Sequence, residues 1–255
     1  MPLEWLTPNW PAPPNVRALS TLRSGGVSTG RYASLNLGDH VADAPEAVAE
    51  NRRRLRVAAE LPTEPAWLAQ VHGTRIADLD SPAEAVPPTA VPADGAVTRM
   101  PGRICAILTA DCLPILFASE TGDAVAAAHA GWRGLVGGVI EACVSTLGAA
   151  PGTLLAWMGP AIGPGHFEVG AEVRDELLRG DPGAGSAFVP NDRGRFMADL
   201  PELARRRLKH LGIARIYGGS ECTHAQKERF FSHRRDGQTG RQASLVWLTD
   251  AAKSR

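Results

Sequence analysis

The sequence predicts a single α/β domain in which helices flank mixed sheets. Short apolar runs of strand length outnumber the helix-like segments. The two kinds of segment do not alternate regularly, as a doubly wound parallel fold requires. The chain of 255 residues shows no repeat, no low-complexity segment and no obvious linker, and it is long enough to bury a sizeable core. We therefore expect one domain over residues 1–255, with residues 1–15 as a proline-rich N-terminal segment.

The strands are predicted from runs of apolar or alternating residues that end at Gly, Pro, Asp or another turn-forming residue. In chain order they cover residues 16–22, 66–71, 75–79, 94–97, 103–109, 113–118, 124–129, 154–158, 215–217 and 242–247. Between them lie a glycine-rich loop at 23–30, a loop at 81–93 that contains four prolines, and an irregular Gly/Pro loop at 159–165.

The helices are predicted from apolar residues at a spacing of three or four. In chain order they cover residues 44–60, 134–147, 172–178 and 200–211. Asp43 precedes the first of these, and a short acidic side chain at that position is typical of an N-cap.

The charge balance gives no reason to expect nucleic acid or an anionic membrane as a partner. Lysine and arginine together number 27, as do aspartate and glutamate, and the arginine-rich stretches at 52–56 and 205–209 fit solvated helix faces.

No apolar stretch approaches the length of a membrane span, and the N-terminus lacks the apolar region of a signal peptide. These features favour a cytoplasmic protein. The four cysteines form no CxxC pair, so we expect free thiols rather than disulfides.

Three metal-ligand side chains occur in apolar, small-residue settings: His72, Cys112 and His129. Cys112 and His129 close or follow strand-like runs, and strand ends are where sheet scaffolds present chemistry. Three protein ligands leave a fourth position for water or substrate, which is the catalytic pattern of zinc rather than the structural one. The sequence therefore predicts a metalloenzyme, although the spacing of the three residues does not name the metal.

Other interpretations of the same residues stay open at this point. Cys112 could be a nucleophile activated by His72 or His129, an arrangement that needs one histidine and an orienting Asp or Asn. Each of the three could also be an ordinary core residue. Cys105, Cys143 and Cys222 fit core positions, and the remaining histidines outside the 230–241 run fit loops or surface; these are His40, His166, His210 and His224.

Two stretches carry features that suit anions. Arg23 stands beside Gly25-Gly26, and Arg133 precedes Gly134, so backbone N–H groups and a guanidinium are close together in each. The run 230–241 places three arginines around an Asp-Gly turn. A surface turn is the favoured interpretation for Arg234, whereas both a surface turn and an anion-binding role stay open for Arg235 and Arg241.

Several ordered motifs together resemble one known family over nearly the whole chain. It is the laccase-domain or polyphenol-oxidase-type family of purine nucleoside phosphorylases, which is related to the bacterial peptidoglycan editing factor. The matching blocks are Arg23–Gly30, Ser34–Gly38, Asn51-Arg52, Gln70–Thr74, Ala93–Gly95, Leu108–Pro114, Ala128–Gly134, Met158–Pro164 and Phe231–Arg241.

The resemblance implies a four-layer α/β/β/α sandwich that acts on a purine nucleoside and phosphate as a monomer or homodimer. It implies zinc bound by His72, Cys112 and His129, phosphorolysis of adenosine, inosine, guanosine and methylthioadenosine, and adenosine deamination at the same site. The remaining site residues are expected as follows: Arg23 and Arg133 on phosphate, Asn36 and Arg241 in the pocket, and Asp111 orienting His129 or a ribose hydroxyl.

Two other activities are linked to such proteins. A multicopper laccase needs about four coppers and paired His-X-His ligands, whereas this chain has seven histidines and no such pair. Copper can replace zinc at nitrogen–sulfur sites, so copper is expected only as a substitute ion. The alternative function is an amide hydrolase that removes a wrong amino acid from a peptidoglycan precursor, using the same metal.

Overall fold

A computed structural model describes residues 3–81 and 91–250 of the chain. Most of the predicted loop at 81–93 lies outside the described residues. The strands are β1 (Trp5–Leu6), β2 (Val16–Thr21), β3 (Ile76–Asp78), β4 (Gly95–Thr98), β5 (Ile104–Thr109), β6 (Leu113–Ser119), β7 (Val125–Ala130), β8 (Leu154–Met158), β9 (Glu168–Val169), β10 (Phe188–Pro190), β11 (Phe196–Ala198), β12 (Arg215–Gly218) and β13 (Gln242–Leu248). The helices are α1 (Pro45–Ala58), α2 (Trp132–Gly137), α3 (Val139–Leu147), α4 (Ala171–Gly180), α5 (Leu200–His210) and α6 (His233–Asp236).

Two sheets form the centre of the fold. The smaller has the strand order β1-β2-β13-β5 and is antiparallel throughout. The larger has the order β12-β8-β6-β7-β4-β3, in which the two outer pairs are parallel and the inner pairs are antiparallel. A third, short antiparallel sheet has the order β10-β11-β9.

Alternation of side chains along the strands divides the buried residues into three apolar layers. On β6, Ile115 and Phe117 face the layer that holds α3, α4 and α5, whereas Leu116 faces the layer between the two sheets. On β13, Val246 joins the layer between the sheets, and Leu245 packs in the layer that contains Leu55 of α1. The order is therefore helix, sheet, sheet, helix, which confirms the predicted four-layer sandwich.

The predicted strand at 66–71 does not form. With the residues that the structure describes, this segment makes two isolated backbone bridges, Ala66 with Cys105 and Ala69 with Pro92, and no strand ladder. The side-chain amide of Gln70 pairs with both backbone groups of Leu108, at 2.8 Å each, and takes the place of a strand ladder there.

The predicted helix at 134–147 is two helices. It begins at Trp132, and Gly138 interrupts it with φ at 90°, a left-handed conformation that glycine adopts without steric cost. The first helix also begins differently, because Ala44 is its N-cap. The Asp43 carboxylate instead accepts hydrogen bonds from Ser28 and Asn36 as well as from the Ala44 N–H.

The short strands β3, β4 and β12 were predicted at their apolar runs. Other elements of two to four residues escaped prediction, because so short a run carries little readable period. They are β1, the sheet formed by β9, β10 and β11, and the single-turn helix α6. Among the described helices, none combines the length and apolar character needed to cross a membrane.

Candidate metal centre

The structure brings His72, Cys112 and His129 together. Their ligand atoms all lie within 4.8 Å of one another, with 3.8 Å between the Cys112 Sγ and the His72 Nε2. His129 belongs to β7, Cys112 lies in the turn between β5 and β6, and His72 lies in a loop before β3. Three distant parts of the sequence therefore meet where β5 and β7 end and β6 begins.

Asp94 holds two of the three residues, and the sequence analysis gave it no role. Its Oδ1 lies 2.8 Å from the Nδ1 of His129, which leaves the Nε2 of that ring to face a metal. The same carboxylate accepts the backbone N–H groups of Val71, His72 and Gly73 at 2.6–3.2 Å. These bonds support the positive φ of His72, 60°, which a non-glycine residue adopts only at an energetic cost.

The three side chains could hold a metal ion. Ligand atoms around a tetrahedral zinc ion lie about 3.3–3.6 Å apart, whereas the Cys112 Sγ and the His72 Nε2 are 3.8 Å apart and all three ligand atoms lie within 4.8 Å, so a bound ion would draw them slightly closer. Gly131 leaves room for the thiol, because a Cβ at that position would lie 2.8 Å from the Cys112 Sγ. In residues 3–81 and 91–250 this is the single group of three His, Cys or carboxylate side chains with metal-binding spacing.

The electrostatics favour a thiolate ligand. Burial acts to raise the pKa of the Cys112 thiol, but the charge and hydrogen bonds of the two histidines outweigh it and bring the pKa to about 6. Burial acts to lower the pKa of His129, and the adjacent Cys112 and Asp94 raise it to about 9. Both shifts favour the thiolate form of Cys112, which is the form that binds a cation.

A cavity of about 480 Å³ opens onto the three residues. Apolar side chains form part of its wall, and three arginines and several histidines form much of the rest. The lining residues are His40, Gln70, His72, Leu108, Thr109, Ala110, Asp111, Cys112, His129, Trp132, Arg133, Ile162, Phe167, Leu200, His233, Arg234 and Arg241. Asp111 is the one carboxylate among them, so the cavity favours an anionic ligand.

Two of the predicted phosphate or pocket residues line this cavity. Arg133 lies with its guanidinium 4.4 Å from the Trp132 ring and is exposed. Arg241 is partly buried, and its Nη1 donates to the carbonyls of Thr239 and Gly240. Burial lowers the pKa of Arg241, and the negative charges of Cys112 and Asp111 oppose that shift. Both guanidinium groups keep donors that bond to no described residue.

Arg23 and Asn36 lie outside the cavity lining. The Arg23 Nε and Nη1 donate to the carbonyls of Ala33 and Lys227, and its guanidinium stacks on the Phe231 ring at 4.6 Å. Asn36 is fully buried, and its Oδ1 accepts the N–H of Arg241 at 2.9 Å. In this structure Arg23 supports the chain behind the cavity, and Asn36 fixes the backbone of a residue that lines it.

Backbone N–H groups of the glycine-rich loop beside Arg23 also form hydrogen bonds within the protein. The N–H of Gly26 donates to the Ser34 hydroxyl, and that of Val27 donates to the side chain of Asn51. These donors are therefore not directed at a phosphate.

Asp111 lines the cavity but does not contact His129, whose Nδ1 faces Asp94. Its Oδ1 accepts from the Thr223 hydroxyl and its Oδ2 from the Arg234 N–H, each at 2.6 Å. Asp111 has a φ of 91° and is buried.

Three lining residues were interpreted as surface or left without a role: His40, His233 and Arg234. Arg234 is exposed, as predicted, but it lies in α6 rather than in a turn, where its guanidinium is 5.5 Å from the Phe167 ring and its Nη1 donates to the Glu168 carbonyl. Burial and the neighbouring Arg241 lower the pKa of His40. The signal that sequence reasoning had available for Arg234 and His233 was their place in the matching block that ends at Arg241.

A family model described as multi-copper polyphenol oxidoreductase laccase matches residues 17–249. A protein of Pseudomonas aeruginosa named purine nucleoside phosphorylase is 54% identical over 247 residues, which cover 96% of this chain and 99% of that protein. A protein of Escherichia coli with the same name is 49% identical over 243 residues, covering 95% and 98%.

Solved structures show the same fold. The crystal structure of a Neisseria meningitidis protein superposes with a TM-score of 0.91 at 48% identity, and the match covers 96% of this chain and 99% of that one. The crystal structure of YlmD from Geobacillus stearothermophilus gives a TM-score of 0.90 at 34% identity, with 96% of each chain covered. The likeness therefore extends over the whole of the described fold and is not limited to the metal-ligand motifs.

Proposed function

This chain belongs to the family described as multi-copper polyphenol oxidoreductase laccase, and we propose that it is a zinc-dependent purine nucleoside phosphorylase. The proposal is supported by relatives of that name at 45–54% identity. It is also supported by the convergence of His72, Cys112 and His129 at the base of a cationic cavity. That convergence is the observation that carries the proposal. The substrates proposed are adenosine, inosine, guanosine and methylthioadenosine.

The donor set favours zinc over the oxidase chemistry that the family description names. One thiolate and two imidazoles suit Zn²⁺, and copper binds such a set as a substitute. A multicopper centre needs ligands for about four ions, whereas the described residues offer one group of three. When bound, zinc would supply a Lewis-acidic positive charge beside the reacting groups.

Phosphorolysis requires that a phosphate oxygen attack C1′ of the ribose while the C1′–N9 bond breaks and the purine leaves. We propose that Arg133 and Arg241 hold the phosphate, since both line the cavity with unused donors. Arg234 joins them as a third guanidinium on the same wall. Guanidinium groups that bind the phosphate would position the nucleophile and offset the repulsion between its charges.

The apolar wall suits the planar base. Ile162, Phe167 and Leu200 are among the residues that line the cavity, and a purine packed against them would be removed from water. Because Arg133 and Arg241 line the same cavity, we propose that the nucleoside and the phosphate bind there together.

A second activity is proposed at the same site, the hydrolytic deamination of adenosine, in which water adds at C6 and ammonia leaves. The chain lacks the His-X-Glu and Pro-Cys-X-X-Cys pattern of zinc nucleobase deaminases, so deamination here would use a different set of metal ligands.

The peptidoglycan-editing alternative is not favoured, because the relatives cited above carry the phosphorylase name. All four cysteines are free thiols, which fits the reducing cytoplasm that we propose as the location.

The test is to incubate zinc-loaded protein with adenosine or inosine, with and without phosphate, and to identify products by mass spectrometry. We expect free base and ribose 1-phosphate only with phosphate present, and inosine from adenosine in either case. Cys112→Ala should abolish both reactions, and Cys222→Ser serves as the matched cysteine control. Intact nucleosides in every sample would contradict the proposal and would make a peptidoglycan precursor the next substrate to test.

A further inference from the structure

Asp111 joins the metal-ligand turn to the C-terminal part of the cavity wall. It directly precedes Cys112, and its two carboxylate oxygens accept hydrogen bonds from Thr223 and Arg234 at 2.6 Å each. Its backbone carbonyl accepts the N–H of Ile162 at 2.9 Å. One residue therefore connects three chain segments that are separate in sequence.

The Thr223 segment is itself fixed. Thr223 is fully buried, and its N–H donates to the Ala161 carbonyl at 2.9 Å. The Arg235 guanidinium donates to the carbonyls of Thr223, His224 and Phe230, which ties this segment to α6. The Thr223 hydroxyl thus offers Asp111 a rigid anchor.

The helix α6 presents two side chains to the cavity. Arg234 lies against the Phe167 ring, where the Glu168 carbonyl holds its Nη1. The Nδ1 of His233 lies 2.8 Å from the Gly237 carbonyl. A carbonyl can only accept, so this nitrogen carries the proton and the Nε2 is the ring atom left for a ligand.

Building on the proposed function, we propose that Asp111 is a positioning residue for substrate binding. Its carboxylate holds the backbone of α6 and thereby sets where Arg234 and His233 meet the substrate. The ligand class is the nucleoside together with phosphate, as in the reaction above. Asp111 acts on the substrate through α6, because both of its oxygens already accept from protein groups.

The contrast between Asp111→Asn and Asp111→Ala tests this role. The amide oxygen of asparagine can accept the Arg234 N–H, and its NH₂ can donate to the Thr223 hydroxyl, which also accepts. Alanine loses both bonds. We expect Asp111→Ala to raise the nucleoside KM about tenfold or more, with a smaller fall in kcat, and Asp111→Asn to recover at least about fivefold in kcat/KM.

Thr223→Val provides a second variant that leaves the carboxylate in place. It removes one of the two bonds at nearly constant volume, so its KM should lie between those of the wild type and Asp111→Ala. Asp175→Asn, on the exposed face of α4, is the matched control and should behave as the wild type. If Asp111→Asn is as impaired as Asp111→Ala and the whole loss is in kcat, the positioning role is overturned.

Amide hydrogen exchange provides a readout that needs no substrate. The backbone amides of residues 232–237 should exchange at least about tenfold faster in Asp111→Ala than in the wild type, and the acceleration should be smaller in Asp111→Asn. The reason is that the N–H of Arg234 loses its acceptor in Asp111→Ala and keeps one in Asp111→Asn. Unchanged exchange in Asp111→Ala would overturn the inference whatever the activity. A wild type inactive on every nucleoside would instead contradict the proposed function, and the exchange result would still decide whether Asp111 holds α6.

Discussion

The Oδ1 of Asp94 lies 2.8 Å from the Nδ1 of His129, in a position with no exposure to solvent. The same carboxylate accepts the N–H of His72 at 2.9 Å. One buried group therefore orients two candidate metal ligands, one through its ring and the other through its backbone. A negative charge at this point also makes the His129 imidazole a stronger electron donor to a cation.

The first prediction is that Asp94→Asn weakens zinc binding. The amide keeps the volume but removes the charge, and it can no longer accept every N–H that the carboxylate does. Loss of such an outer partner typically lowers metal affinity about 10–100-fold. Competition with a chromophoric chelator measures the affinity directly, and Asp175→Asn is the control. An affinity within about twofold of the wild type would show that His129 is oriented without Asp94.

The ligand trio was predictable from sequence, but Asp94 was not, and the difference has a physical cause. His72 and Cys112 are residue types that bind metals in many proteins, whereas Asp94 acts through its contacts with His129 and with the loop that carries His72. Its distance to His129 depends on the antiparallel pairing of β4 with β7, in which Gly95 faces Ala128. Local pattern predicts strands, but it does not give their register.

The arginines illustrate the same limit. The glycine-rich loop beside Arg23 suggested an anion site, yet the donors of that residue meet carbonyls from residues as distant as Lys227. Arg234 is exposed, as predicted, yet nothing local shows that its guanidinium lies 5.5 Å from the Phe167 ring. Long side chains reach partners that only the tertiary fold supplies.

The second prediction separates the arginines that line the cavity from the one behind it. Arg241→Ala and Arg133→Ala should each raise the phosphate KM about tenfold or more, because each removes unused charged donors from the wall. Arg23→Ala should act mainly on stability and lower the thermal midpoint, since it removes two carbonyl contacts and a ring contact. Steady-state kinetics with varied phosphate, together with thermal melts, distinguish the two outcomes. A phosphate KM that responds to Arg23→Ala alone would reverse the assignment.

The third prediction concerns stability and pH. Asp181 makes a bidentate ion pair with Arg206, at 2.7 and 3.0 Å, and these hydrogen bonds hold the pKa of its carboxyl below the usual range. The folded state therefore binds this proton less tightly than the unfolded state. The resulting stability is present above about pH 4 and is lost as the pH falls through the lowered pKa of the folded state.

Asp181→Asn should accordingly cost about 1 kcal/mol of unfolding free energy near pH 7 and much less near pH 3. Urea unfolding of both proteins at several pH values measures this difference. Asp175→Asn, whose partner pair is exposed, should show almost no difference at any pH. If the difference in unfolding free energy between the wild type and Asp181→Asn stays constant down to pH 3, the carboxylate charge is not the source of the stability.

The last prediction tests the space around the candidate thiolate. Gly131 has an extended backbone, with φ at −68° and ψ at 166°, so alanine fits its conformation. The added Cβ would nevertheless lie 2.8 Å from the Cys112 Sγ and 3.5 Å from the His72 ring. Gly131→Ala should displace the thiol, lower zinc affinity by at least about tenfold and leave the fold intact. Gly152→Ala is the matched control, because a Cβ there meets nothing within 4 Å. If Gly131→Ala binds zinc as tightly as Gly152→Ala, the Cys112 Sγ does not occupy the ligand position that this structure gives it, and the metal centre would have to be assigned to the two histidines with another donor.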